Sequence, residues 1–291
     1  MKPVPLAFAE DRHDAIWGYE RWLVSVHPSA PSVVRGGPYD GRRLDDLTSV
    51  FGAELLGTRA HGRFPLLFKE IAARLDLSVQ VHPNETTCRA TGGEPKTEAW
   101  HVLAAEPGGT LFAGLRQGVT AERFSAAIAE GGCEDLLQRI AAVPGETVFV
   151  PGGLVHSIGA GVRLFEVQQS SDTTYRLYDW GRTGKDGRPR PLHVREGLTA
   201  ADLAAQPVVV HGDFTCPFFS IRPLTLDEAF ALSADPGSFR VLFAASGRFS
   251  LVSEGSAMIV EEGGAVLMPA VVSAEVVPAV PGARLLLASL G

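Results

Sequence analysis

In the run LSVQVHP (77–83), Gln80 and His82 stand two residues apart, so on a strand both side chains leave one face while Val79 and Val81 leave the other. Further donors are available to join them. Glu98 opens the next apolar run, EAWHVLAA, and His156 follows the glycine turn of VPGGLVH. Two neutral imidazoles, a carboxylate and an amide oxygen form a borderline donor set suited to zinc, iron or manganese, with coordination positions left open for a substrate. Such a site needs no thiolate. The three cysteines, Cys88, Cys133 and Cys216, are far apart and form no CxxC pair, which indicates neither a disulfide framework nor a cysteine metal site and fits a reducing cytoplasm.

These donors need a scaffold, and the pattern around them predicts a mainly β one. Short apolar runs with period-two character occupy 77–82, 98–105 and 110–115, and glycine turns divide the strands of 145–169. Helical spacing is expected over 42–57 and 63–75, and again over 120–143, where Thr120 can cap the start and Gly131–Gly132 break the run. The polar run 180–191 reads as an exposed loop. From about Pro207 a second set of short strands begins. The expected organisation is a catalytic domain over 1–206, with helical insertions at about 42–75 and 120–143, followed by a metal-free β-domain over 207–291. An internal echo supports duplication: Gly145, five residues, Pro151 returns as Gly263, five residues, Pro269, and the place of His156 is taken by Ala274.

Composition narrows the function classes. The chain has 291 residues, 45% hydrophobic and 20% charged, enough apolar surface for one or two packed cores. A net charge of −7 with scattered Lys and Arg offers no basic stripe for a nucleic-acid backbone. The N-terminus lacks the continuous apolar core of a signal peptide, and the most apolar later stretch is interrupted by prolines and Glu275, so no membrane span is expected.

The segment Gly145–His156 matches the second cupin motif, G, five residues, P-x-G, two residues, H, at each named position. Gln80, where the first cupin motif has its first histidine, points to one branch of that superfamily. QVHPNE followed by KTEAWHVL, then VPGGLVHSIGAG, then FEVQQSSDTTYRLYDWGR resembles type I phosphomannose isomerase in its shorter bacterial form, strongly over about residues 10 to 200. The resemblance implies two cupin (jelly-roll) barrels, one zinc ion per chain on Gln80, His82, Glu98 and His156, and an essential arginine at Arg176. It also implies a cationic role for Lys96, a phosphate-facing role for Ser78 and an acid/base role for Glu166. The implied partner is a small sugar phosphate, acted on by a cytoplasmic monomer or homodimer.

Aldose–ketose interconversion passes a proton between neighbouring carbons through an enediol, so the site must hold negative charge on oxygen and supply a base. Arg176, always protonated, could neutralise either the enediolate or the phosphate. The residues alone also admit an isomerase of an unphosphorylated aldose, an iron-dependent cupin dioxygenase, and a non-catalytic sugar sensor.

Overall fold

The computed structural model describes residues 1–184 and 187–291, so Lys185 and Asp186, in the expected loop at 180–191, lie outside the described residues. The architecture is mainly β, as expected, and the sheets are antiparallel. Two compact units emerge, and neither is a single stretch of sequence: one comprises Met1–Asp11, Arg21–Lys69 and Gly212–Gly291, the other Arg12–Glu20 and Glu70–His211.

The unit containing Glu70–His211 has a five-stranded sheet in the order Tyr175–Tyr178, Val79–Val81, His156–Ile158, Thr110–Leu115, Leu137–Ala141. Across its interior lie Val208–His211, Glu146–Val150, Glu98–Ala105 and Val162–Gln169, adjacent in that order. Alternation dictates what each strand buries. Trp100 and Val102 project inward with Val148, Val150 and Leu164, and meet Leu111, Ala113 and Ile158 in one core. On the smaller sheet's other face, Val79, Val81, Phe112 and Leu177 pack with Phe124 and Ile128 of the helix Ala121–Glu130.

That helix begins where its cap was expected, with Thr120 Oγ1 accepting from the Arg123 amide at 3.2 Å, and it stops at Gly131, whose φ of 78° suits a glycine. Thr120→Ala should therefore lower stability by about 1 kcal/mol, as a shift in the urea midpoint with an unchanged slope would record. The rest of the expected 120–143 helix is a 3₁₀ turn, Glu134–Leu136, and a strand, Leu137–Ala141. Gly131–Gly132 ends the helix, and strand pairing with Thr110–Leu115 claims the chain beyond it.

The other unit stacks a six-stranded sheet (Leu6–Ala7, Ala265–Met268, Arg240–Ser246, Ala283–Leu290, Phe219–Leu226, Phe214–Thr215) on a four-stranded one (Phe230–Leu232, Ala274–Pro278, Phe249–Ser253, Ser256–Val260). Leu242, Leu251, Val266, Val276 and Leu285 fill the space between them. The helices Leu44–Phe51 and Ala53–Leu56 fall in the expected 42–57 region. They belong to this unit: Leu56 O accepts from the Phe239 amide, and Leu55 O from the Ala270 amide, both at 3.0 Å.

Over 63–75 the expectation of a helix is corrected, because Leu66–Ala73 is a strand. Seven of its eight residues are buried. Its two polar residues, Lys69 and Glu70, are adjacent and both buried, so polar and apolar positions do not alternate, and leucine, phenylalanine and isoleucine around them fit helical intervals by accident. The Gly145 and Gly263 repeats fold alike: each glycine has positive φ, each precedes a strand that ends before the proline, and His156 and Ala274 each start the strand that follows.

Candidate metal centre

Gln80, His156 and Arg176 are brought together by strand register. Gln80 pairs with His156 on one side and with Arg176 on the other, so all three side chains leave the inner face of the five-stranded sheet. His82 follows on the same face. From the facing sheet Glu98 projects inward beside Trp100, while His101, one residue out of phase, bonds instead to Thr147 Oγ1 at 3.0 Å on the opposite face.

The glycine turn sets the distance between the segments. The Gly153 amide donates to His82 O at 2.8 Å, and the Gly152 amide to Thr97 Oγ1 at 3.1 Å. A Cβ on Gly152 would lie 2.8 Å from Pro83 O and 2.9 Å from Asn84 Cα, closer than a side chain can stand to backbone. Glycine at this position lets the turn before His156 rest directly on the chain after His82.

His82, Glu98 and His156 thereby offer ligand atoms within 4.8 Å of one another, all three residues buried. The two rings are oriented by their other nitrogens. His82 Nδ1 lies 2.8 Å from Thr173 O and His156 Nδ1 2.8 Å from Leu154 O, which makes each Nδ1 the donor and leaves each Nε2 with a free lone pair. Both Nε2 atoms face the Glu98 carboxylate, at 3.3 and 3.4 Å. Two imidazole lone pairs and a carboxylate aimed at one point, each imidazole braced by a carbonyl, fit a transition-metal ion.

Electrostatics keep these groups in the ligating forms. Burial, then the nearby Lys96, pushes the His82 pKa down to about 3, and burial lowers that of His156. For Glu98, burial opposes ionisation but Lys96, His82 and His156 outweigh it, holding the carboxyl well below the usual carboxylate range. Lys96 Nζ lies 2.9 Å from Glu98 Oε2 and 3.1 Å from His82 Nε2.

The remaining expected residues also surround this point. Gln80 Nε2 is 3.3 Å from His156 Nε2, and Ser78 Oγ donates to Gln80 Oε1 at 3.3 Å. Glu166 pairs with Trp100 and is buried, its Oε2 accepting from Trp100 Nε1 at 3.0 Å, while the Trp100 ring meets His156 edge-on at 5.3 Å. Arg176 donates through Nη1 to Pro191 O at 2.9 Å; its Nε is buried with no hydrogen-bond partner among the described residues. Of the two acids near Arg176 in sequence, Asp172 and Asp179, the second is engaged by Arg182 and Arg190.

His193, which is not among the residues expected at the site, brackets Arg176. Its Nδ1 accepts from the Arg176 amide at 3.3 Å and its own amide donates to Arg176 O at 2.7 Å. Reading the sequence singled out neither Trp100 as the link between Glu166 and His156 nor Gln168, which pairs with Glu98; period-two counting from Glu166 would have reached Gln168.

The profile of the type I phosphomannose isomerase catalytic domain matches residues 10–101. A mannose-6-phosphate isomerase of Streptococcus mutans is 35% identical over 246 residues, 75% of this chain and 77% of that protein. The chain belongs to the type I phosphomannose isomerase family. A Bacillus subtilis member, the mannose-6-phosphate isomerase ManA, is 34% identical over 73% of this chain and 71% of its own length. The solved mannose 6-phosphate isomerase of Bacillus subtilis superimposes with a TM-score of 0.87 at 25% identity, covering 98% of this chain and 99% of that one. The family is one of aldose–ketose isomerases, and the mainly β, cupin-like architecture of this chain is theirs.

Proposed function

We propose that this enzyme interconverts mannose 6-phosphate and fructose 6-phosphate with one zinc ion held by Gln80, His82, Glu98 and His156. The observation that carries the reading is the pair of Nε2 lone pairs converging on Glu98 in a buried site. The substrate is the one for which the relatives are named. Zinc is favoured by the nitrogen-rich donor set and by its presence, with yttrium, in a solved mannose 6-phosphate isomerase of this fold.

The ion would supply Lewis acidity, polarising the sugar's C1 and C2 oxygens. The protein's own residues do the rest. A half-turn of the Gln80 amide exchanges its nitrogen and oxygen, presenting Oε1 as the fourth ligand while Ser78 Oγ turns from donor to acceptor. Arg176, whose Nε has no partner among the described residues, places a fixed positive charge where the enediolate oxygen develops. Glu166 removes the proton from one carbon and returns it to its neighbour, with Trp100 Nε1 steadying its other oxygen. Lys96 balances the charge of Glu98 and stands beside the reacting oxygens. Ser78 and the arginines at 182 and 190 give the phosphate end a polar, cationic setting.

No helix among the described residues is long and apolar enough to cross a membrane, and the three cysteines are free. The cysteine usage suits a reducing cytoplasm, the setting proposed for this enzyme as a monomer or homodimer.

Turnover of mannose 6-phosphate should vanish after chelation and return in full when zinc is added back stoichiometrically, as a coupled assay of fructose 6-phosphate would record. Activity that survives removal of all bound metal would sink the reading. The same assay on unphosphorylated mannose should show far lower kcat/KM, and equal rates on the two sugars would transfer the function to a free aldose.

A further inference from the structure

Gln168 is fully buried, and the orientation of its amide is fixed by its surroundings. Nε2 donates to the backbone oxygens of Gln169 (3.0 Å) and Ser171 (2.6 Å), two acceptors that only an NH₂ group satisfies. The other end must then be the carbonyl oxygen, and among the described residues Oε1 has no hydrogen-bond partner. Burying an amide acceptor without a donor costs about 1–3 kcal/mol, so its place in the sheet calls for an explanation.

That place is beside the metal centre. Gln168 is the cross-strand partner of Glu98, and both side chains leave the inner face. Directly opposed residues hold their Cβ atoms roughly 4.5–5.5 Å apart, and diagonal neighbours remain within reach of long side chains. Pairing continues past Glu98, with the Gln169 amide donating to Thr97 O at 3.0 Å, so Lys96 is the diagonal neighbour of Gln168 on the same face.

Lys96 has a matching need. Its ammonium carries three donors and the residue is only 5% exposed, so water cannot serve them freely. Two of its contacts are Glu98 Oε2 and His82 Nε2. His82 Nε2 is the nitrogen a metal takes, because Nδ1 is committed to Thr173 O. An ammonium that must give up an acceptor and an acceptor that lacks a donor therefore stand on neighbouring positions of one strand pair.

We infer that Gln168 is a positioning residue whose Oε1 receives the Lys96 ammonium when a metal ion occupies His82 Nε2. Held there, the cation neither competes for the imidazole lone pair nor presses its charge against the metal. The inference rests on the proposed metal site, and it adds a residue that acts on that site through Lys96 rather than as a ligand.

The test is zinc affinity, measured by competition with a chromogenic chelator on four full-length proteins: the unaltered chain, Gln168→Met, Lys96→Met and the double variant. Gln168→Met should weaken zinc binding about tenfold, at the lower edge of the 10–100-fold seen when outer partners of metal ligands are removed. In the Lys96→Met background the same change should have no effect, since the ammonium it serves is gone. An equal loss in both backgrounds would mean that Gln168 only tethers the 169–171 backbone, and would overturn the inference. Unchanged affinity in Gln168→Met would overturn it too, leaving the metal site intact, whereas an unaltered chain that binds no zinc would remove the metal reading first and this one with it. Should Gln168→Met not fold, Gln168→Asn enters the same cycle, because it withdraws the oxygen by one methylene yet keeps an amide for the backbone carbonyls.

Discussion

Glu98→Ala should cost the protein both its metal and a large part of its stability, and the two losses should be separable. Glu98 is the only carboxylate in the buried triad, and both imidazole Nε2 atoms face it. Without it the donor set is neutral, so zinc should be lost on dialysis. Turnover should fall at least about 10³-fold, which corresponds to the several kcal/mol a Lewis acid supplies to the transition state. The stability loss has another origin. Lys96 is buried with Glu98 Oε2 2.9 Å away, and deleting the acid strands an ammonium in the barrel. Breaking such a buried pair costs about 3–5 kcal/mol, a melting-temperature drop on the order of 10 °C for a domain of this size. The double change Glu98→Ala/Lys96→Met should recover most of that stability while recovering no zinc. Calorimetry and metal analysis on the same samples decide the matter. A Glu98→Ala protein that keeps stoichiometric zinc would refute the ligand assignment, and one that melts unchanged would refute the charge argument.

The residues of this centre were legible for different reasons, and the gaps have physical causes. Gln80 and His82 could be placed on one face because strand alternation is a property of the backbone; register then set Gln80 beside His156 and Arg176, and the His82 ring lies 4.7 Å from that of His156. Glu98 and Trp100 share a phase and His101 does not, so strand alternation alone separates the metal candidate from a histidine on the other face. Local pattern carries no information on partners distant in sequence. The Thr173 carbonyl that orients the His82 ring and the bonds between His193 and Arg176 are products of tertiary approach, whereas the Leu154 carbonyl that orients His156 is only two residues away in sequence. Gln168 lies in VQQS, where nothing marks it until its neighbour across the sheet is known to be Glu98. The error over 63–75 is of another kind: seven of the eight residues of Leu66–Ala73 are buried, and its polar residues, Lys69 and Glu70, are adjacent rather than alternating with apolar ones, so no period of two shows. The contents of the two compact units were equally hidden, since a unit that joins Arg21–Lys69 with Gly212–Gly291 leaves no boundary in composition.

Arg176 is where a second large effect is expected, and its form will say what the guanidinium does. The side chain shares the inner face with Gln80, donates from Nη1 to Pro191 O, and leaves Nε buried without a partner among the described residues. Burial and then Arg190 lower its pKa, with Asp179 acting the other way, but a guanidinium stays charged throughout the range in which the enzyme could work. A buried donor with no partner among the described residues is costly in the resting state and gains one when negative charge forms on the substrate. If that charge is the enediolate, Arg176→Ala should lower kcat about 10²–10³-fold, as loss of one oxyanion donor does, with little change in KM. Arg176→Lys should restore only a small part, because a point charge on a flexible stem reproduces neither the anchor to Pro191 nor the fixed direction of Nε–H. If the charge is the phosphate, present before and after the proton moves, the loss should fall on KM instead, and kcat should survive. Steady-state kinetics on the three proteins, with zinc content matched, separates these outcomes. A variant with both constants unchanged would leave Arg176 no part in the chemistry.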